Sequence, residues 1–223
     1  MSIREMLSPA VEDYLKAIYK LQSESNVSTS GLAGHLGVAS ASVTKMVKRL
    51  SGLGLVTYAS YKGVRLTAAG EKIALEIVRH HRLLETYLRE IMGYDWETMH
   101  AEAEHLEHHI SEEFEDRLDK MLGYPTHDPH GDPIPSRDGV MINVASEPLV
   151  TCPINTPLIV RRVADTDPGA LQKLEHLGLL PGAKINISGG NDHVLEVTTD
   201  GSTTEMKVEH DLAAQVFAST EVE

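Results

Sequence analysis

The sequence is poor in three things that would each have pointed elsewhere. It has a single cysteine, Cys152, among 223 residues. A lone thiol excludes an internal disulfide framework and a cysteine-based zinc module, both of which need several. No uninterrupted apolar stretch approaches the roughly 20 residues that cross a bilayer. Residues 1–7 also lack the basic-then-apolar order of a secretory leader, so a cytoplasmic protein is expected. Aromatic residues are only 4% of the chain, which leaves the core to aliphatic side chains. At this length two or three small domains fit.

What is abundant is negative charge, and its distribution is uneven. The net charge is −13, which taken whole argues against nucleic acid. Residues 1–72, however, carry nine Lys and Arg against five Asp and Glu, a balance of +4. Residues 73–223 carry eleven against twenty-eight, or −17. A mildly basic N-terminal part on an acidic molecule permits DNA binding at one end. Histidine is uneven too, with eight of the twelve between His80 and His130.

Ser8-Pro9 reads as an N-cap followed by proline at the first helical position. Val11, Tyr14, Leu15, Ile18 and Leu21 then recur with helical period. A short second helix is expected over residues 30–36, with Leu32, Ala33 and Leu36 inward and Gly37 as its stop. A third is expected over residues 40–51, with Val43, Met46, Val47 and Leu50 on one face. Its other face carries Ser40, Ser42, Thr44, Lys45, Lys48 and Arg49. Two helices joined by a short glycine-containing turn make a helix-turn-helix. Small hydroxyl and basic side chains are the kinds that enter a major groove and reach base edges and phosphates. Short strands over residues 57–60 and 62–67, turning near Tyr61-Lys62-Gly63, predict a basic wing bearing Lys62 and Arg65. Thr67 is expected to cap the next helix. The alternative is a helix-turn-helix used only for packing or protein contact.

Long helices are predicted over residues 71–91 and 96–122. In the second, Met99, Ala103, Leu106, Ile110, Phe114, Leu118 and Met121 form a narrow apolar stripe suited to helix–helix packing, as in a dimer interface. Beside it run His100, Glu104, Glu107 and His108. Spacings of three and four share a helix face, so Glu104, Glu107 and His108 can converge on one point. His81 and Glu85 can do the same on the preceding helix. Carboxylates and imidazole without thiolate suit manganese(II) or iron(II). Zinc binds the same groups, and more tightly by the usual stability order. The alternative for each residue is a solvated acidic helix.

These stretches resemble the diphtheria toxin repressor family of metal-dependent repressors, and within it the manganese transport regulators. The residues that carry the resemblance are Val11-Glu12-Asp13-Tyr14-Leu15-Lys16-Ala17-Ile18-Tyr19, Ser42-Val43-Thr44-Lys45-Met46-Val47, Gly63-Val64-Arg65-Leu66-Thr67 with Gly70, His81-Arg82-Leu83-Leu84-Glu85, His100-Ala101-Glu102-Ala103-Glu104-His105-Leu106-Glu107-His108, and Leu177-Gly178-Leu179-Leu180-Pro181-Gly182. The resemblance implies a primary metal site of Asp13, Glu104, Glu107 and His108, lined by His81. Asp13 and Glu104 stand where iron-type members have methionine and cysteine, which resembles the manganese-responsive branch. Lys16 departs from the two-domain manganese regulators, which place a glutamate there that helps hold a second ion. The binuclear arrangement is therefore not implied. The resemblance also implies an ancillary site of Glu85, Asp128, His130 and Asp165; His100 can join either site and is assigned to the ancillary one.

Residues 123–149, rich in Pro, Gly and Asp, read as a linker. Beyond them, strands are expected over residues 158–163, 183–188, 193–199, 203–208 and 214–218. A short helix is expected over 169–177, with turns at Gly189-Gly190 and Asp200-Gly201. The whole is expected to be mainly α with a small β domain. Its parts are a winged-helix DNA-binding domain (1–72), a helical dimerisation and metal-binding domain (73–140) and an SH3-like β-barrel (141–223). The expected function is a manganese-dependent repressor of metal-uptake genes, with iron(II) as the alternative ion. It is expected to act as a homodimer on a palindromic operator in double-stranded DNA. In that reading metal ties Asp13 to Glu104, Glu107 and His108 and fixes the spacing of two recognition helices. Two further readings are a metallohydrolase and a metal buffer. No catalytic constellation is expected.

Overall fold

Pro9 opens α1 (Pro9–Leu21); Ser8 stands at the N-cap with extended backbone, but its side chain makes no capping bond. In α2 (Thr29–Leu36) the cap is Ser28, whose hydroxyl accepts from the Gly31 N–H at 3.0 Å. Gly37 ends that helix at φ +64°, a left-handed conformation glycine adopts without a Cβ penalty. α3 (Ser40–Gly52) follows, then β1 (Val56–Ala59) and β2 (Gly63–Leu66), an antiparallel pair registered Val56 to Leu66 and Ala59 to Gly63. Val11, Leu15, Ile18, Leu32, Val43, Val47, Leu50 and Val64 form one aliphatic core beneath these elements. The structure, a computed structural model, describes residues 7–22, 26–60, 62–164, 167–200 and 204–220. The chain divides into two compact units. One comprises Met1–His81, Glu104–Asp116 and Pro135–Met141; the other comprises Arg82–Ala103, Arg117–Ile134 and Ile142–Glu223. Among the described residues no helix is long and apolar enough to cross a membrane.

The face of α3 away from the core exposes Ser40, Ser42, Lys45, Lys48 and Arg49, and Lys62 and Arg65 are exposed on the wing. Thr44 differs: it is half-buried, and its hydroxyl donates to the Ser40 carbonyl at 3.0 Å within its own helix. Thr67 caps α4 (Ala68–Glu90), accepting from the Gly70 N–H at 3.2 Å while its hydroxyl donates to the Gly54 carbonyl at 2.7 Å. Gly70 is required there by close approach, since a Cβ on it would lie 2.0 Å from the Leu55 carbonyl oxygen.

The single helix expected over residues 96–122 is two: α5 (Trp96–Leu106) and α6 (Glu112–Met121). Residues 107–109 form a turn between them. The break has two causes, a cap after it and a buried contact from α4. Ser111 caps α6, its hydroxyl accepting from the Phe114 N–H at 3.2 Å and its carbonyl from the Glu115 N–H at 2.9 Å. Buried His80 consolidates it. Its Nδ1 donates to the Glu107 carbonyl at 3.0 Å and its Nε2 lies 3.0 Å from the Glu115 carboxylate, which Arg79 also pairs. The apolar stripe is split accordingly. Met99, Ala103 and Leu118 are buried, whereas Phe114 and Met121 are 45% and 57% exposed and so do not belong to the core of the chain.

Part of the segment expected as a linker, around residues 125–135, packs closely instead, while residues 142–147 are exposed. The Asp128 carboxylate accepts from the backbone N–H groups of His130 and Asp132, both at 2.9 Å, which folds the segment into a tight turn. Asp128, His130 and Ile134 are buried. The sheet that follows contains β3 (Glu147–Pro148), β4 (Pro157–Val163), β5 (Lys184–Gly190), β6 (Val194–Thr199), β7 (Met206–Glu209) and β8 (Val216–Thr220). It is antiparallel, in the order β3-β8-β4-β5-β6-β7. α7 (Pro168–His176) lies between β4 and β5 in sequence, and the short α8 (His210–Ala213) between β7 and β8. Gly189 and Gly190, expected as a turn, lie inside β5 and pair with Glu196 and Leu195. The turn falls at Asn191, whose side-chain oxygen accepts from the N–H groups of His193 and Val194. Asp165, Gly201 and Tyr61, on which expectations also rested, lie outside the described residues.

Candidate metal centre

In the first unit, Asp13 on α1 meets the turn after α5. Asp13, Glu107 and His108 each bring one ligand atom within 4.8 Å of the others. His108 Nε2 is 2.9 Å from Asp13 Oδ1 and 3.6 Å from Glu107 Oε1. Neighbouring N and O ligands on an ion with bonds of roughly 2.1 Å stand about 3 Å apart, so these separations suit one shared cation. The other ring nitrogen, Nδ1, is 2.6 Å from the Glu12 carboxylate. That contact fixes the ring and leaves Nε2 toward Asp13, the arrangement by which a carboxylate orients a metal-bound histidine. Burial disfavours the His108 imidazolium, but hydrogen bonds to Asp13 and Glu12 and the Glu107 charge outweigh it and raise its pKa to about 9.

Glu104, expected at the same point through helical spacing, precedes the end of α5, whereas Glu107 and His108 follow it. One Glu104 oxygen is 2.7 Å from Lys16 Nζ. Both Glu107 oxygens are also on that ammonium, at 2.8 and 2.7 Å, and His81 Nδ1 is 3.2 Å from it. His81 in turn lies 2.6 Å from Glu107 and 3.8 Å from Glu104. An open cleft of about 540 Å³ borders this group, lined among others by Asp13, Lys16, Lys20, His35, Glu104 and His108.

The second unit holds another cluster, Glu85, Asp128 and His130, all buried, with ligand atoms within 4.8 Å of one another. His130 Nδ1 is 3.7 Å from Glu85 and 3.9 Å from Asp128. His100 Nδ1 is 2.8 Å from the other Glu85 oxygen. The His130 carbonyl accepts from the Val163 N–H at 2.8 Å, and a Cβ on Gly131 (φ +86°) would lie 2.0 Å from the Arg161 carbonyl oxygen. Glycine at 131 therefore lets the turn lie flush against β4 and present His130 toward Glu85.

Sequence reasoning missed Glu12 and His80 as parts of this apparatus and had no role for the Lys16 ammonium. Glu12 and Lys16 are both buried on α1, among the core residues of that helix. A buried charge needs a partner. No periodicity names which partner.

Three family models match, together spanning most of the chain. They are the iron dependent repressor N-terminal DNA binding domain over residues 6–64, the iron dependent repressor metal binding and dimerisation domain over 67–136, and the FeoA domain over 147–219. The iron-dependent repressor IdeR of Mycobacterium tuberculosis is 32% identical over 196 residues, which cover 81% of this chain and 84% of that protein. The transcriptional regulator MntR of Bacillus subtilis is 39% identical over 120 residues, covering 53% of this chain and 84% of the regulator. Among solved structures, a manganese-dependent transcriptional repressor in complex with manganese superposes with a TM-score of 0.85 at 32% identity, covering 95% of this chain and all (100%) of the other. The chain therefore belongs to the iron-dependent repressor family, which includes the diphtheria toxin repressor and whose members are metal-dependent, DNA-binding transcriptional repressors rather than enzymes.

Proposed function

We propose that this repressor answers to manganese(II), through a primary site of Asp13, Glu107 and His108 with Glu104 and His81 adjoining. Glu85, Asp128 and His130 form an ancillary site, with His100 beside Glu85; the assignment of Asp165 to it rests on the resemblance alone, since that residue lies outside the described ones. One observation carries the reading: Asp13, on the first helix of the DNA-binding domain, shares a point in space with Glu107 and His108. The donors are carboxylates and imidazole, a set for a hard or borderline ion. The sole thiol, Cys152, does not contribute; it is buried with its sulfur against the Glu147 and Pro148 carbonyls. A bound divalent ion would supply the positive charge that lets these acidic groups stay close.

Given that charge, Asp13 and Glu107 hold α1 against the turn after α5, and Glu12 keeps the His108 ring in its ligating orientation. α1 packs in the same core as α3, so its placement sets where Ser40, Ser42, Lys45, Lys48 and Arg49 point. In a homodimer the two α3 helices then meet half-sites about one helical turn apart on a palindromic operator. Lys62 and Arg65 of the wing add phosphate contacts, and Thr44 contributes through its methyl group. The regulated genes are those of manganese uptake, by analogy with relatives that carry manganese in their names. The C-terminal sheet is read as an SH3-like barrel, which by itself implies no ligand.

The deciding experiment is a DNA-binding titration against free manganese with wild type, Asp13→Ala and Glu104→Ala. Loss of manganese-dependent binding is expected in both variants. The names of some relatives favour iron(II) as a second reading, and the same titration with iron(II) and zinc at controlled free concentration separates them. Unchanged manganese dependence in Asp13→Ala would overturn the site.

A further inference from the structure

We propose that the Lys16 ammonium is a resident cation of the primary site, one that an incoming metal ion must displace and that thereby sets the concentration at which the repressor responds. The inference rests on the metal site proposed above. Lys16 lies on α1 with its side chain 6% exposed, too buried for its charge to be solvated. Its Nζ is surrounded by acceptors: Glu104 Oε1 at 2.7 Å, both Glu107 oxygens at 2.8 and 2.7 Å, and His81 Nδ1 at 3.2 Å. Those are the donor types that take a metal ion, wrapped around a positive charge carried by the chain itself.

Glu107 connects the two roles. Its side chain is fully buried (0% exposed), both oxygens hold Lys16, and one of them lies 3.6 Å from His108 Nε2. A divalent ion shared by Asp13, Glu107 and His108 would stand within a few ångströms of Nζ. Repulsion between charges of +2 and +1 at such range, in a poorly solvated site, is worth several powers of ten in affinity if both stay. The ammonium has somewhere to go, because Lys16 and Asp13 line the same open cleft. In the metal-free protein the ammonium neutralises Glu107; on loading it gives way to the ion and turns toward solvent.

The test uses the full chain as wild type, Lys16→Met, Lys16→Arg and His108→Ala. Manganese affinity is measured by chelator competition, and thermal unfolding is followed in the metal-free state. Lys16→Met, of similar length without the charge, is expected to bind manganese at least about tenfold more tightly. It should also unfold at a lower temperature without metal, a deficit that manganese repairs. Lys16→Arg should stay near wild type in both. Where Lys16→Met does not fold without metal, wild type itself supplies the measurement. Acetylation of Lys16, followed by mass spectrometry, should be slow in the metal-free protein and at least tenfold faster after manganese loading. If Lys16→Met binds manganese equally or more weakly, or if loading leaves Lys16 protected, the ammonium is not displaced and the inference falls. If His108→Ala leaves manganese binding unchanged, the metal site itself is wrong.

Discussion

His108 illustrates how much one side chain takes from its neighbours. With its pKa raised to about 9 from 6.5, it is protonated in the metal-free protein at neutral pH. A metal held at the proposed site needs the neutral ring, so its binding would expel that proton. Manganese affinity is expected to climb about tenfold per pH unit up to about pH 9 and then level off. Calorimetry in buffers of different ionisation enthalpy should count close to one proton released per primary site at pH 7. For folding of the metal-free protein the sign is opposite. A raised folded pKa contributes stability that is full below about 6.5 and is lost as the pH passes about 9. Glu12→Gln keeps the hydrogen-bond geometry but removes the charge behind the ring, and manganese affinity should fall 10- to 100-fold.

Among the elements, α6 is tied to α4 by the buried group Arg79, His80 and Glu115. Burial penalises the Glu115 carboxylate, yet hydrogen bonds to His80 and Arg79 prevail and lower its pKa to about 2 from 4.5. Its contribution to stability is therefore complete above about pH 4.5 and disappears as the pH falls toward 2. Glu115→Gln leaves Arg79 without its counter-charge at that contact, and urea unfolding should show a loss of about 3 kcal/mol or more at neutral pH. A second expectation belongs to the junction of wing and α4. Gly70→Ala would drive a Cβ to 2.0 Å from the Leu55 carbonyl oxygen, which backbone cannot relieve by a rotamer change. A destabilisation of roughly 3 kcal/mol is expected, read as an earlier thermal transition and weaker operator binding with manganese saturating.

The whole molecule combines an acidic body with a basic reader, +4 over residues 1–72 against −17 beyond. Such a body repels DNA, so the phosphate contacts proposed for α3 and the wing have to prevail over an unfavourable background. Operator affinity should fall steeply with salt. Lys48→Ala should reduce the slope of log affinity against log salt by about one, in gel-shift titrations at fixed free manganese. Chelation should release the operator and lower the unfolding temperature together, because an ion bound at a hundred times its Kd adds about 2.7 kcal/mol to stability.

The amino-acid order by itself determined the elements whose causes are local. Gly37 and Thr67 mark helix ends by capping chemistry, and Val43, Val47 and Leu50 mark a buried face by period. The list of candidate ligands was legible because carboxylates and histidines crowd one segment in a chain nearly without thiol. Periodicity ran on through residues 107–111, because the helix stops there for reasons outside it, a serine cap and the buried His80. Only the folded chain decided that Glu12 stands behind His108, that Lys16 lies among Glu104, Glu107 and His81, and that the segment around Asp128 is a packed turn. The contacts of Glu12 and Lys16 join residues 65 to 96 positions apart, and a charge buried among distant groups leaves no trace in local spacing.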